Sequence, residues 1–157
     1  MKEKTIEEKE RLNLFREYVD YMLMLDSDFV YANEKEKAVR KWFTEQINSN
    51  NIEWIDVRKN GTIVGFLIIG TGEECHRDAD YFIMQTYIKP EYRRQGIMKN
   101  VLERYFSAHK GVYCLDIIKT NENAKKFWKS VFKGFKPIQL IDYRKNVENI
   151  DIYAYEI

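Results

Sequence analysis

The segment over residues 81–99 constrains the fold most, because it joins a strand, a basic turn and a helix. Its first part is aromatic and β-branched, which predicts a buried strand, and Pro90 ends that strand because proline has no N–H for a ladder. After Gly96, apolar residues recur at helical spacing. The first N–H groups of such a helix have no partner within it and carry partial positive charge. With Arg93 and Arg94 beside them, the turn is predicted to bind phosphate.

The rest of the chain predicts further helices and strands by its periodicity. The predicted helices cover residues 6–25, 34–47, 96–109 and 121–134, and the predicted strands cover residues 52–58, 62–70, 81–88, 111–118, 138–143 and 149–156. Asn60-Gly61 predicts a hairpin between the first two strands, because both residues tolerate a positive φ. The strands joined through the third helix are predicted to be parallel. The fold class is therefore α/β (α+β), with a mixed sheet of about six strands and four helices.

The helical spacing also predicts which side chains face the core. On the first helix these are Leu12, Phe15, Val19, Met22 and Leu25. On the second they are Ala38, Trp42, Phe43 and Ile47.

Two motifs resemble those of a known family. Arg93-x-x-Gly96-x-Met98 is similar to the acyl-CoA-binding motif of the Gcn5-related N-acetyltransferase (GNAT) family, although Met98 stands where the family has a small residue. The segments Asn121-Glu122-Asn123-Ala124, Phe127-Trp128 and Gly134-Phe135 resemble the signature of that family's last helix. The resemblance covers roughly residues 52–157.

The resemblance implies the acyl-CoA N-acyltransferase fold, a mixed sheet of six to seven strands flanked by about four helices, with a central parallel pair that splays apart. It implies a single N-acetyltransferase domain over residues 1–157. Within it, residues 1–51 would form a helical segment on the acceptor side, and residues 52–157 the cofactor-binding core. The family's usual opening strand has no convincing counterpart here except Thr5-Ile6.

The implied cofactor is acetyl-CoA, with CoA as product, lying between the splayed strands. Backbone groups of Tyr87 and Ile88 would pair with its amides, as a strand edge pairs with a peptide. The turn residues would hold the diphosphate through backbone N–H groups and positive charge; they are Arg93, Arg94, Gln95, Gly96, Ile97, Met98 and Lys99. The larger Met98 would narrow or shift this site. Asn121 and Trp128 would meet the cofactor from the last helix, although a plain N-cap explains Asn121 equally well.

The catalytic residues depart from the family's pattern. Trp128 occupies the position at which the family often has a tyrosine as general acid, and we interpret it as core or cofactor packing because an indole N–H is a very weak acid. The strand before the turn carries Gln85 and no carboxylate, where the family usually has a glutamate as base. Asp80 and Gln85 are the candidate catalytic residues. Glu73 and Glu74 offer longer-range alternatives through water, but a solvated loop is their favoured role.

The predicted reaction is transfer of an acetyl group to the amine of a small molecule or peptide, by direct attack in a ternary complex. Asp26, Asp28 and Asp142 are candidates for binding a cationic amine, and helix capping explains the first two equally well. The alternative function is that of a catalytically weak acyl-CoA-binding module that regulates a partner.

Charge and composition limit which other partners and which location are expected. The net charge of +1 gives no general attraction to nucleic acid or to an anionic membrane, and neither is an expected partner. The longest apolar run, residues 63–69, is too short to span a bilayer. With no secretory signal, the protein is expected in the cytoplasm with free thiols, and Cys75-His76 lacks the second ligand pair that a metal site needs. The aromatic C-terminal hairpin offers an edge for a homodimer.

Overall fold

The computed structural model describes residues 6–140 and 150–157. The helices are α1 Ile6–Leu25, α2 Lys35–Asn48, α3 Ile97–Ala108 and α4 Glu122–Val131. The strands are β1 Ile52–Lys59, β2 Thr62–Gly70, β3 Tyr81–Ile88, β4 Val112–Ile118, β5 Lys136–Pro137 and β6 Ile150–Glu156. These bounds lie within a residue or two of the predicted ones, except in the final hairpin and at the end of α4, which stops three residues earlier than predicted.

The strands form one mixed sheet in the order β1-β2-β3-β4-β6-β5. The pair β3–β4 is parallel and each of the other neighbouring pairs is antiparallel. The predicted mixed sheet of about six strands with four helices is therefore confirmed. β1 and β2 meet at the predicted turn, where Asn60 has φ +52° and Gly61 has φ +81°.

The C-terminal hairpin differs from its prediction. The strand that pairs with β6 is Lys136–Pro137, followed by a bond from the Ile138 N–H to the Ala154 oxygen (2.8 Å), and not residues 138–143. Part of that predicted strand falls in residues 141–149, outside the described chain. At the other end, Thr5 is also outside it, and Ile6 begins α1 rather than a strand.

The sheet is covered on both faces, which is why β2 is buried along nearly its whole length. One face packs against α1 and α2, through Phe15, Phe43 and Phe66 among others. The other packs against α3 and α4, through residues such as Leu102 and Trp128.

A part-buried ion pair fixes α1 to the sheet. Arg11 donates from Nε and Nη2 to the two carboxylate oxygens of Asp56, at 2.8 and 2.6 Å, and the indole of Trp54 donates to the same carboxylate at 3.0 Å. Within residues 6–140 and 150–157, no helix has the length and apolar character needed to cross a membrane.

Candidate functional site

A gap opens between the two parallel strands at the centre of the sheet. β3 and β4 are paired at Tyr81–Tyr113, Phe82–Cys114 and Ile83–Leu115. Beyond that point each strand continues for several residues, and no further pairing joins the two within the described chain. Strand edges without a partner present free N–H and C=O groups. An extended ligand in this gap can therefore hydrogen-bond to them as an added strand would.

The glycine turn lies beyond the open end of β3. Gly96 has φ +74° and precedes α3, and it contributes no side chain to cap that helix. A Cβ at Gly96 would meet no atom of the described residues within 4 Å. The first N–H groups of α3 therefore stay accessible and carry partial positive charge. This open, positively polarised turn fits a phosphate group.

The two arginines of the turn have different surroundings. Arg93 donates from Nε to the Ile88 oxygen (2.8 Å), and its guanidinium lies 5.1 Å and 5.4 Å from the ring centroids of Tyr21 and Tyr87. Arg93 therefore ties the end of β3 to α1. Arg94, by contrast, is exposed and has φ +62°. Its side chain lies at the turn without the contacts that Arg93 makes.

Lys59 brings a further cation to the turn, which the sequence reasoning missed. Its ammonium contacts the Gln95 side chain and lies 5.9 Å from the ring centroid of Tyr92. Lys59 ends β1 and lies far from the turn in sequence, so no local signal pointed to it. Lys99, which the sequence did place here, contacts Ser130 of α4 at 3.3 Å.

The backbone of β3 faces the gap at alternate residues. Lys89 donates its N–H to Val64 on β2 at 2.9 Å, and a Cβ at Gly65 of β2 would lie 2.1 Å from the Tyr87 oxygen. The Tyr87 backbone thus faces β2, whereas the Ile88 backbone turns to the gap. This corrects the prediction for Tyr87, whose side chain instead packs among aromatic rings on the α1 side.

The two candidate catalytic residues lie at different places on β3. Asp80 accepts a bond from the Val112 N–H and donates its own N–H to the Val112 oxygen, both at 2.8 Å. It therefore joins the paired ends of β3 and β4, away from the gap. Gln85 lies just past the last paired residue, Ile83, and accepts a bond from Gln46 of α2 at 3.1 Å.

A β-bulge directs two neighbouring residues of β3 into one cavity. Ile68 is opposite Gln85 and Ile69 is opposite Ile83, which leaves Met84 as the extra residue. Met84 and Gln85 both line a cavity of about 480 Å³ between α2 and β3. The structure thus brings Gln85 to this cavity and does not bring Asp80 there.

The residues that were predicted to contact the cofactor from the last helix make contacts with other parts of the protein. Asn121 caps α4, accepting a bond from the Ala124 N–H at 3.1 Å. Trp128 is 7% exposed and packs against Phe127 and Phe132, with ring centroids 4.9 and 5.8 Å away. Met98 is also buried in the core on this face, so its bulk does not point into the glycine turn.

Residues 15–132 match the family model described as the acetyltransferase (GNAT) family. The chain belongs to this family. The matched region contains α2, the gap, the glycine turn and α4. Members of the GNAT family use acetyl-CoA. Membership of this family therefore supports acetyl transfer from acetyl-CoA as the general activity of the chain.

Solved structures of proteins from other organisms share the fold. PH1933 from Pyrococcus horikoshii is 14% identical with a TM-score of 0.66, and the match covers 100% of this chain and 95% of that one. PaiA N-acetyltransferase from Thermoplasma acidophilum, solved in complex with coenzyme A, is 15% identical with a TM-score of 0.64, over 99% and 97% of the two chains. An N-acetyltransferase from Staphylococcus aureus is 16% identical with a TM-score of 0.64, over 96% and 94%. No curated protein sequence matches this chain.

Proposed function

We propose that this protein transfers the acetyl group of acetyl-CoA to the amine of a small molecule or peptide, by direct attack in a ternary complex. The observation that carries the proposal is the gap between β3 and β4, which begins beyond Ile83 and Leu115 and leads towards the Gly96 turn. In this proposal the whole chain is one domain, with residues 1–51 on the acceptor side and residues 52–157 around the cofactor.

The residues at the open end of the gap suit the phosphate-bearing part of acetyl-CoA. The N–H groups that open α3 and the exposed side chain of Arg94 offer donors and positive charge, and Lys59 adds a second cation. A Cβ at Gly96 would meet no described atom within 4 Å, so the space at the turn is open to a ligand. Arg93 would act indirectly, by fixing the end of β3 through the Ile88 oxygen. Ile88 would supply its backbone N–H to the amide-bearing part of acetyl-CoA.

The closed end of the gap is the expected place for the acceptor. β3 rises about 3.3 Å per residue, so Ile83 lies roughly 17 Å along the strand from Ile88. The cavity that contains Met84 and Gln85 adjoins this closed end on the α2 side. An amine held there would approach a ligand extended along the gap.

Acetyl-CoA supplies an activated acyl group, and the protein supplies alignment and a path for protons. The amine nitrogen forms a bond to the acetyl carbon while the carbon–sulfur bond breaks. Gln85, held by its bond from Gln46, would orient the amine but cannot act as a base. The proton therefore passes to water, and holding two reactants in line supplies much of the rate. A thiolate leaves readily near neutral pH, so a tyrosine at position 128 is dispensable.

The alternative function, a catalytically weak acyl-CoA-binding module, is favoured by one observation. The residues of β3, all described, include no carboxylate to act as base. Both proposals require acetyl-CoA binding, and only the first requires turnover.

Calorimetric titration with acetyl-CoA and CoA tests the shared requirement. We expect micromolar binding, about −8 kcal/mol, by the unmodified protein and none by Gly96→Asp, which puts a bulky negative side chain in the turn. Incubation with acetyl-CoA and a panel of amines, followed by mass analysis of the products, then separates the two proposals. Binding without any acetylated amine would support the regulatory module. Absence of binding by the unmodified protein would refute both.

A further inference from the structure

The cavity between α2 and β3 combines apolar walls with one sign of charge. Trp42 and Phe29, whose ring centroids lie 5.5 Å apart, form part of its wall together with Met84. Its charged lining residues are the carboxylates Glu45 and Glu74, and no lysine, arginine or histidine of the described chain lines it. An aromatic wall beside carboxylates is the environment that favours an organic cation over an anion.

A buried amide at this cavity lacks a donor. Gln46 is only 6% exposed, and its Nε2 donates to Gln85. Its carbonyl oxygen has no hydrogen-bond partner among the described residues. A buried acceptor without a donor is costly, and a ligand N–H entering the cavity would satisfy it. This observation is independent of the carboxylates and indicates a ligand that donates hydrogen bonds.

The end of α2 adds to the preference for positive charge. The last C=O groups of a helix carry partial negative charge, which basic side chains often offset. The last turn of α2 contains no basic residue. Glu45 and Gln46 both lie on this turn, so the carboxylate, the free amide oxygen and the helix end act on the same region.

We propose that this cavity binds the acceptor of the reaction as a primary ammonium ion on an apolar alkyl or arylalkyl stem. The stem packs against Trp42, Phe29 and Met84, and the ammonium donates to the Gln46 oxygen within the field of Glu45 and Glu74. The inference rests on the proposed amine acetylation and names its substrate class. Before attack the ammonium gives one proton to water. As the nitrogen–carbon bond forms and the carbon–sulfur bond breaks, the nitrogen loses a second proton, which water carries to the departing thiolate, so that the thiol of CoA is released.

This assignment moves cation recognition away from the aspartates that the sequence offered as candidates. The Asp26 carboxylate accepts a bond from the Asp28 N–H at 2.9 Å, in the turn after α1, and neither residue lines the cavity. Asp142 lies outside the described residues.

Binding of three matched probes to the full-length protein tests the proposal, with and without saturating CoA. The probes are 2-phenylethylammonium, the neutral 2-phenylethanol and the anion phenylacetate, and the readout is titration calorimetry. We expect the ammonium ion to bind at least about tenfold more tightly than the alcohol, with an advantage that shrinks as salt rises. Equal affinity for the alcohol or the anion would overturn the proposal, because the cavity would then be merely apolar.

Variants of the same protein locate the binding. Glu74→Gln should weaken ammonium binding about threefold at low salt, as expected for an exposed charge. Glu73→Gln, on the same short turn but away from the cavity, is the matched control and should change nothing. Gln46→Leu should weaken binding at least about tenfold, whereas Gln46→Glu keeps an oxygen acceptor and should retain it. Identical losses in the Glu73 and Glu74 variants would count against the site even if the Gln46 variants failed to fold.

CoA affinity, measured on the same samples, separates this inference from the proposed function. Normal CoA binding without an ammonium preference refutes the inference alone. Ammonium binding at the Gln46 cavity without any CoA binding supports the cation site and refutes the acetyl-transfer function.

Discussion

Alanine in place of Gly96 should separate the conformational role of this glycine from its role in binding. The residue has φ +74°, and a Cβ there would meet no described atom within 4 Å, so the substitution creates no clash inside the protein. A left-handed conformation costs a non-glycine residue about 1–2 kcal/mol. The smaller entropy of the unfolded alanine chain offsets roughly 0.4–1 kcal/mol of this. We therefore expect the free energy of unfolding to fall by only about 1 kcal/mol.

The effect of the same change on CoA binding should be larger. The new methyl group would occupy the space above the first N–H groups of α3, where the diphosphate is proposed to lie. Displacing two hydrogen bonds to a charged group, each worth about 1.5–3 kcal/mol, would cost at least about 3 kcal/mol. That corresponds to an affinity loss of roughly 100-fold or more.

Gly134→Ala is the matched control, because Gly134 has φ +89° and equally open surroundings but lies after α4. Urea unfolding should give similar losses of stability for the two variants, while calorimetry should find normal CoA affinity in Gly134→Ala alone. If Gly96→Ala bound CoA as tightly as the unmodified protein, the diphosphate would not lie over this turn. The site proposed here would then be refuted.

Three further changes test other parts of the structure. Asp56→Asn should lower the free energy of unfolding by about 2 kcal/mol, measured in urea, because it removes the charge that binds Arg11. Burial, the largest single influence, raises the pKa of Asp56. Arg11, with smaller contributions from Trp54 and Arg58, outweighs it and holds the carboxyl pKa below its usual 3.8. This stabilisation should thus be complete above about pH 4 and be lost as pH falls through the lowered pKa, whereas the asparagine variant should lack that part of the acid dependence. Lys59→Gln should weaken CoA binding several-fold at low salt and little at high salt, and a loss independent of salt would exclude a charge effect. Trp128→Phe should keep kcat within about threefold if the indole only packs, while a large fall in kcat at unchanged CoA affinity would instead indicate proton donation.

Local signals in the sequence were sufficient for most of the elements. The predicted bounds of α1, β2 and β3 coincide with those of the structure. Periodicity and turn residues act over a few neighbours, so a single chain carries them in full. The glycine turn at Gly96 was predictable for the same reason, since positive φ, the missing side chain and the following helix are all local.

The rotation of α2 about its axis was not predictable in this way. Ile47 was expected in the core and is 43% exposed, whereas Gln46 is buried. A helix of mixed polarity can turn by one residue when the surface it packs on favours another face. Here that surface is the aromatic layer between α1 and the sheet, which the periodicity of α2 alone does not describe.

The candidate site likewise has features that local sequence patterns predict and features that depend on packing between distant residues. Local sequence patterns predicted the strand–turn–helix that fits a phosphate and the order of elements that forms a parallel central pair. Three contacts became visible in the folded chain alone: Arg93 holds the end of β3, Lys59 reaches the turn, and a bulge at Met84 directs Gln85 towards Gln46. The physical reason is that these contacts join residues distant in the chain, and their geometry depends on register and packing across the whole sheet.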